Sequence, residues 1–572
     1  MLKKRWKINE IENEYLISSL ADSLSISDVL AKLLILRNIT DFDKAKTFFR
    51  PSLDFLYNPF LMDGMEVATY RVIQALTENQ LICIYGDYDV DGTCSTALLY
   101  LFLKELGANV EFYIPKRLTE GYGISKSAID YVKERGTALL ISVDCGITAI
   151  EEAEYVKELG IDLIICDHHQ PKEKIPDALA VLDPLKPNCN YPFKYLSGAG
   201  VAFKLAQGVA ERIGKRDLPF KYLDLVSLAA AADIVSLVDE NRVLVKEGIN
   251  LINTNPRPGI EALMESSNNK HGSLTSGQIV FTIAPRINAV GRLGDAERAV
   301  QLLITNEKDK AFELAKVLES ENYQRRKIDE DTFDNALEIL ENPSAENDGA
   351  AIILHQENWH PGVIGIVASR LVERYYRPTI MLTTIDGVAK GSARSISNFN
   401  IYEALKKCED LLIHFGGHKA AAGLAVELEN IDEFKLKFNQ IVKESISEED
   451  LSPEIHIDSK LKFSEITPKF LRIMEQFAPF GPGNMRPVFL SEGVEIANTP
   501  RIVGTNHLVM SLKQAGCDRN FDAIGFKMGE YLNIVNNHNS VIDIVYNIDK
   551  SERDGRIFTQ LKLKDLKIKE NN

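Results

Sequence analysis

From residue 81 the chain alternates short apolar runs with helical stretches at a spacing that admits few folds. Apolar runs at 81–85, 109–114, 138–143, 161–166 and 178–182 read as buried strands. Helical patterns at 94–106, 125–135 and 148–159 lie between them and close on Gly107, Gly136 and Gly160. This alternation predicts a parallel, doubly wound α/β sheet. In such a sheet ligands gather beyond the carboxyl ends of the strands. The residues that follow each run are therefore the first place to look for chemistry.

The remaining organisation is read around that sheet. A chain of 572 residues has room for three or four domains. Residues 1–78 look helical, with breaks at Arg50-Pro51 and Asn58-Pro59, and are expected to pack on the first domain, 79–305. Residues 306–342 form a charged stretch with helical apolar spacing (Phe312, Leu318, Ile328, Phe333), expected to be a solvated connecting helix. A second α/β unit, 343–450, opens with the run Ala350–Leu354 and continues with a helix near 362–375 and a strand at 379–384. Residues 451–572 change to short alternating runs, such as 541–546 and 558–563, which predict a small β-barrel.

Composition narrows the class. Seven cysteines without a Cys-x-x-Cys pair suggest reduced thiols and no zinc knuckle. The basic start, Met1–Lys7, is followed by no apolar stretch of signal-peptide length, and no run approaches a membrane span of about 20 residues. The expectation is a soluble cytoplasmic protein with no membrane partner. A net charge of −16 argues against a protein that coats DNA. It leaves room for a local basic groove.

The first strand runs straight into Gly86-Asp87-Tyr88-Asp89-Val90-Asp91-Gly92. Read as extended chain, Asp87, Asp89 and Asp91 share one face and repel one another unless a cation lies among them. An EF-hand loop would need a bidentate Glu at its twelfth position, where this chain has Leu98, and a helix rather than a strand before it. A solvated surface turn remains the alternative for this segment alone. Asp144 follows the third run, Asp167-His168-His169 follows the fourth, and Asp233 follows the apolar helix Leu225–Ala232. One strand-end Asp is an ordinary helix cap. Acids or histidines after three separate strands point to a metal site. Oxygen ligands with imidazole suit manganese or magnesium, and the supply is enough for two ions. Two ions roughly 3.5–4 Å apart clamp the attacking and leaving oxygens of a phosphoryl displacement. No Gly-x4-Gly-Lys-Ser/Thr loop is present, so ATP-driven chemistry is not indicated. Cys145 and Cys166 adjoin the acids but read as buried strand residues.

The second unit carries groups suited to anions. Trp359-His360-Pro361-Gly362 opens a helix, Gly391–Ser395 sets Arg394 among small residues, and His414–Gly423 offers a glycine turn with His and Lys. Exposed N–H groups with cations make an anion pocket. A tight packing turn is the alternative. Between the units, Ala284–Arg292 reads as a Gly/Pro-bounded loop bearing Arg286 and Arg292, and Arg117 precedes Glu120–Gly123. Each is ordinarily a surface ion pair; together they suggest a phosphate path.

Gly86–Gly92, Val143–Gly146 and Asp167–His169 resemble the motifs of the DHH phosphoesterase superfamily. Ala284–Arg292, Trp359–Arg370, Gly391–Ser395 and Gly416–Gly423, with Phe48–Leu53 near the N-terminus, narrow the resemblance to its RecJ family and extend it over nearly the whole chain. The resemblance implies a DHH domain, a DHH-associated domain joined to it by a long helix, and an oligonucleotide-binding (OB) barrel. It implies a 5′-to-3′ exonuclease that degrades single-stranded DNA to 5′-mononucleotides in recombination and repair. Metal ligation would fall to Asp87, Asp89, Asp91, Asp144, His168 and Asp233, holding two Mn²⁺ or Mg²⁺ ions, with Asp144 bridging and His169 beside the scissile phosphate. Asp144, His168 and His169 would be the catalytic core. Ser392, Arg394, Gly416, Gly417 and His418 would hold the 5′ end or an adjacent phosphate, along with Arg117, Arg286 and Arg292. Single-stranded DNA is the implied partner of a monomeric enzyme, with a single-strand-binding protein and a helicase as further candidates. The chain ends soon after the barrel, so contacts made by an extra C-terminal domain in longer relatives are not expected to carry over.

Two other readings share parts of this pattern. A pyrophosphatase, or an esterase for short oligonucleotides or cyclic dinucleotides, would share the metal motifs but not the third domain or the 284–292 arginines. A metal-free replication scaffold would be expected to have an eroded ligand set, whereas each of these positions carries a liganding residue.

Overall fold

Continuous apolar runs become strands when helices cover both faces of the sheet. The computed structural model, which describes residues 4–121, 123–341, 349–447, 449–536, 541–553 and 555–568, shows this arrangement. Five parallel strands lie in the order Val110–Tyr113, Ile82–Gly86, Leu139–Val143, Asp162–Cys166, Ala180–Leu182. The chain steps one way from Ile82–Gly86 to Val110–Tyr113, then crosses to the other side at Leu139–Val143. The switch point therefore lies between Ile82–Gly86 and Leu139–Val143, whose last residues, Gly86 and Val143, are register partners.

A helix of 34 residues, Lys308–Glu341, links this sheet to the next and is about 51 Å long at 1.5 Å per residue. The second sheet has the strand order Leu412–His418, Ala421–Glu427, Val388–Arg394, Thr379–Ile385, Ile352–Gln356. Only its last pair is parallel. One face is closed by a core containing Ala393, Ala422, Leu424, Phe434 and Phe438.

The chain divides into two compact units, and both of these sheets belong to one of them, residues 57–233 and 247–453. The other unit comprises 4–56, 234–246 and 454 onward. Its sheet runs from Ser459–Lys460 through Phe489–Ile496, Val541–Arg553, Arg556–Ile568, Phe521–Gly525 and His507–Gln514 to Arg501–Val503. An additional pairing of Phe489–Ile496 with His507–Gln514 closes it into a barrel, leaving only the short strands Ser459–Lys460 and Arg501–Val503 as edges. Among the described residues no helix is long and apolar enough to cross a membrane.

Three expectations change. Residues 4–56 belong to the barrel unit rather than to the first domain: Leu20, Leu30, Leu33, Leu34 and Phe48 share one core with Phe470, Phe477 and Phe489. Arg5–Ile8 also pairs with Glu454–Ile457. Only the segment from Tyr57 on serves the first sheet, where Arg71 meets Asp162 at 2.6 Å. Residues 234–246, expected inside the first domain, likewise belong to the barrel unit. An amphipathic helix announces a buried face but not the layer that buries it. Finally, 284–292 is not a loop: a π-helical turn at Ile279–Ile283 runs into the helix Ala284–Leu293. Pro285, which has no N–H to donate, stands where the π-helical turn gives way to the α-helix.

Candidate metal centre and phosphate cleft

The acids at the switch point converge, but not by strand alternation. Asp87 continues directly from the first strand. Asp89 caps the helix Val90–Glu105, accepting the Gly92 N–H at 3.0 Å. Asp91 lies inside that helix's first turn. Its carboxylate accepts the Gly198 and Ala199 N–H groups at 2.7 Å each, from the N-terminus of the helix Gly198–Arg212. Asp144 adopts the left-handed region at φ 61°. A Cβ on Gly198 would stand 2.7 Å from its carboxylate, so that helix can begin here only with glycine. Asp233 caps the end of the helix Leu223–Ala232.

His168 aims Nε2 into this group: 3.1 Å from Asp144, 3.6 Å from Asp233 and 3.7 Å from Asp91. Its ring is also hydrogen-bonded to the Leu196 backbone, the outer bond that orients a ligating imidazole. Three overlapping donor sets result: Asp87/Asp89/Asp144, Asp91/His168/Asp233 and Asp144/His168/His169, each with its ligand atoms within 4.8 Å of one another. Asp87 Oδ1, Asp144 Oδ1 and His168 Nε2 are buried with no hydrogen-bond partner. Burial, then the neighbouring carboxylates, pushes Asp87 and Asp233 up to about 8 and Asp91 up to about 7. Asp144 is pushed well above the usual carboxylate range for the same reasons. Burial, then the charge of His169, lowers His168 to about 4. Buried oxygens that repel one another around a neutral imidazole fit a hard divalent cation.

His169 differs from its neighbour. Burial alone would lower it, but the 2.7 Å hydrogen bond to Asp167 and that carboxylate's charge raise it to about 9. Asp167 also accepts the Ile147 N–H at 2.9 Å and the His168 N–H at 2.7 Å. Although burial opposes it, the His169 bond and charge hold Asp167 below the usual carboxylate range.

Beside the acids lies a cleft of 240 Å³ lined by Asp87, Tyr88, Asp89, Arg117, Asn288, Gly291 and Arg292. The Arg117 guanidinium sits 5.0 Å over the Tyr88 ring. Arg292 donates to the Gly362 carbonyl at 3.0 Å and has no carboxylate partner among the described residues. Burial, then Arg117, Arg325 and Arg394, lowers it to about 10. Arg394 is steadied by the Ser392 hydroxyl at 2.9 Å. Its guanidinium lies 2.8 Å from where a Cβ on Gly365 would stand. Guanidiniums gathered with so little counter-charge form an anion site.

Arg325 is the member that sequence reasoning missed. It comes from the linking helix, is bonded to Asn322 at 2.8 Å, and has its nearest carboxylate, Asp329, at 3.8 Å. Arg286 is the reverse case. It is ion-paired with Glu319 of the linking helix and bonded to the Thr282 carbonyl, so it fastens two helices together and does not line the cleft. Gly416, Gly417 and His418 lie on an edge strand, not in a turn; the turn is Lys419-Ala420. Gly416, Gly423 and Ser392 are register partners across three strands, as are His418, Ala421 and Arg394. A Cβ on Gly416 would meet nothing within 4 Å, so that row leaves bare backbone beside Ser392. Gly417, one residue on, points to the other face, and at φ 145° only glycine is at ease there.

A parallel sheet whose switch point gathers aspartates and a His-His pair, next to an arginine cleft, defines a DHH-type phosphoesterase. Models of the DHH family N-terminal domain, the DHHA1 domain and the RecJ OB domain match residues 81–230, 348–444 and 457–565. The single-stranded-DNA-specific exonuclease RecJ of Bacillus subtilis is 38% identical over 99% of this chain and 71% of its own length. Crystal structures of RecJ from Thermus thermophilus superpose on all of this chain. The complex with Mn²⁺ does so at TM-score 0.84, 29% identity and 80% of that chain; the complex with Mg²⁺ at 0.78, 27% and 79%. The chain belongs to the RecJ family.

Proposed function

We propose that the chain is a metal-dependent exonuclease that degrades single-stranded DNA from its 5′ end to 5′-mononucleotides, in recombination and repair. The observation that carries this reading is the convergence of Asp87 Oδ1, Asp144 Oδ1 and His168 Nε2, buried and unbonded, beside an arginine-lined cleft. The single-strand specificity in the names of its relatives, and the RecJ OB domain, support the substrate class.

Asp87, Asp89, Asp91, Asp144, His168 and Asp233 would hold two divalent cations, Mn²⁺ or Mg²⁺, with Asp144 shared between them. Such ions neutralise charge on the phosphate and lower the pKa of an attacking water. The chain's own groups do the rest. Asp167 keeps His169 protonated at neutral pH, and the half-exposed imidazolium donates to a non-bridging oxygen of the scissile phosphate. Arg117, Arg292, Arg325 and Arg394, with Ser392, hold the terminal or adjacent phosphate. The bare backbone at Gly416 and the His418 side chain flank that phosphate. A duplex about 20 Å wide, judged from its grooves, would not reach acids at this depth, so one strand is selected by size. The enzyme works as a cytoplasmic monomer. A helicase, which exposes single strands, and a single-strand-binding protein, which holds them, are the partner classes that would supply its substrate.

The test is digestion of 5′-labelled single-stranded DNA with Mn²⁺, Mg²⁺ or chelator, alongside Asp144→Ala. Metal-dependent release of labelled mononucleotide that the variant lacks is the expected result. Hydrolysis of pyrophosphate but not DNA, or equal digestion of blunt duplex and free strand, would overturn the reading.

A further inference from the structure

The turn Trp359-His360-Pro361-Gly362, just ahead of the helix Ile364–Tyr375, is fastened on several sides within the unit that holds the acids. Trp359 is buried in a core with Val367, Leu371 and Met381. Its indole N–H donates to Asn335 Oδ1 of the linking helix at 3.0 Å. Its carbonyl accepts the Thr383 hydroxyl of the second sheet at 2.7 Å.

Both peptides that flank Gly362 are then held by one residue. His360 Nδ1 accepts the Gly362 N–H at 3.0 Å, and the His360 carbonyl accepts the Val363 N–H at 3.0 Å. A peptide is planar, so fixing the Val363 N–H also fixes the Gly362 carbonyl on its other side. That carbonyl accepts Arg292 Nη1 at 3.0 Å, from the helix Ala284–Leu293. The two segments approach so closely that only glycine fits: a Cβ on Gly362 would stand 2.8 Å from the Arg292 carbonyl and 3.0 Å from the His360 ring.

Arg292 needs such a hold. Arg117, Arg325 and Arg394 all repel it, and no carboxylate steadies it among the described residues. A carboxylate partner would neutralise the charge that a phosphate requires. A fixed carbonyl orients the guanidinium and leaves that charge in place.

We propose that His360 is a positioning residue for Arg292: through the Gly362 carbonyl it aims that guanidinium at a phosphate of the substrate strand. The inference rests on the reading of Arg292 as a phosphate ligand. His360 itself touches no substrate.

The experiment compares His360→Asn and His360→Gln in the full chain, each with and without Arg292→Gln. It measures steady-state digestion of 5′-labelled single-stranded DNA, with melting curves for every variant. Asn Oδ1 takes the place of Nδ1 and keeps the bond to Gly362, whereas Gln Oε1 reaches past it. His360→Asn should retain the parent's KM. His360→Gln should raise KM about two- to tenfold, the worth of one hydrogen bond, with kcat near the parent's. On the Arg292→Gln background His360→Gln should change KM no further, because residues that act through one contact are not additive. If the melts show His360→Gln unfolded, Gly362→Ala, whose methyl pushes the two segments apart, takes its place in the same cycle with the same expectations. KM effects that add on the Arg292→Gln background, or equal KM in His360→Asn and His360→Gln, would overturn the proposal. Arg292→Gln with the parent's KM would overturn the reading of Arg292 itself.

Discussion

His168 Nε2 and Asp144 Oδ1 lie 3.1 Å apart, buried, and neither makes a hydrogen bond. Two polar atoms that share a pocket without bonding to each other are pointed at a common third position. Asp144→Asn keeps the shape and removes the charge there. It should abolish nuclease activity while raising the thermal stability of the chelator-treated chain. Activity and thermal melts on the same preparation check both directions; a melt that falls would sink the claim of stored repulsion.

Removing metal should give an unusual pH dependence of stability. Asp87 and Asp233 rise from the ordinary 3.8 to about 8, and Asp91 to about 7. A carboxyl whose folded pKa is raised binds more protons folded than unfolded, so stability falls as pH rises between the two values. The metal-free chain should lose stability steadily from about pH 4 to pH 8. Excess Mn²⁺ should restore it most at the alkaline end, because ligands bind as deprotonated groups. Melting series with chelator and with Mn²⁺ measure the two slopes.

His169 and Asp167 make the rate itself pH-dependent. The imidazolium persists up to about pH 9 because Asp167 holds it. The rate should fall as pH rises through that value. Asp167→Asn removes the charge that raises His169, so the fall should move to lower pH. His169→Gln should lower kcat and remove that limb of the profile. An unchanged alkaline limb in Asp167→Asn would separate His169 from the reaction.

Much of the centre is legible in residue order alone, because strand ends in a parallel sheet converge by topology. Asp87, Asp144 and His168 follow three adjacent strands. Local reasoning fails where a residue's surroundings come from far along the chain. Asp91 reads as a strand-face residue, but the helix has already begun at Val90, and its carboxylate is held by Gly198 and Ala199 more than 100 residues away. Arg325 sits in a charged stretch where nothing nearby distinguishes it from its solvated neighbour Arg326. Arg286 reads as a phosphate ligand until Glu319 is seen beside it. The segments 4–56 and 234–246 join the barrel unit for the same reason: helical periodicity marks a buried face but never names the partner.

Arg286 and Arg292 are six residues apart on one helix, yet their substitutions should separate cleanly. Arg292 lines the cleft and faces other guanidiniums. Arg292→Gln should raise KM for single-stranded DNA and reduce the salt dependence of binding by about one phosphate contact. Its stability should be unchanged or improved, since a buried cation among like charges is removed. Arg286→Gln leaves Glu319 without its partner and should lower stability by about 1 kcal/mol, the scale for a pair with one solvent-reaching member. KM and the salt slope should then stay near the parent's at temperatures where the variant is folded. Steady-state kinetics at several salt concentrations, with melting curves for both variants, check the division. Equal effects on KM would return Arg286 to the phosphate path.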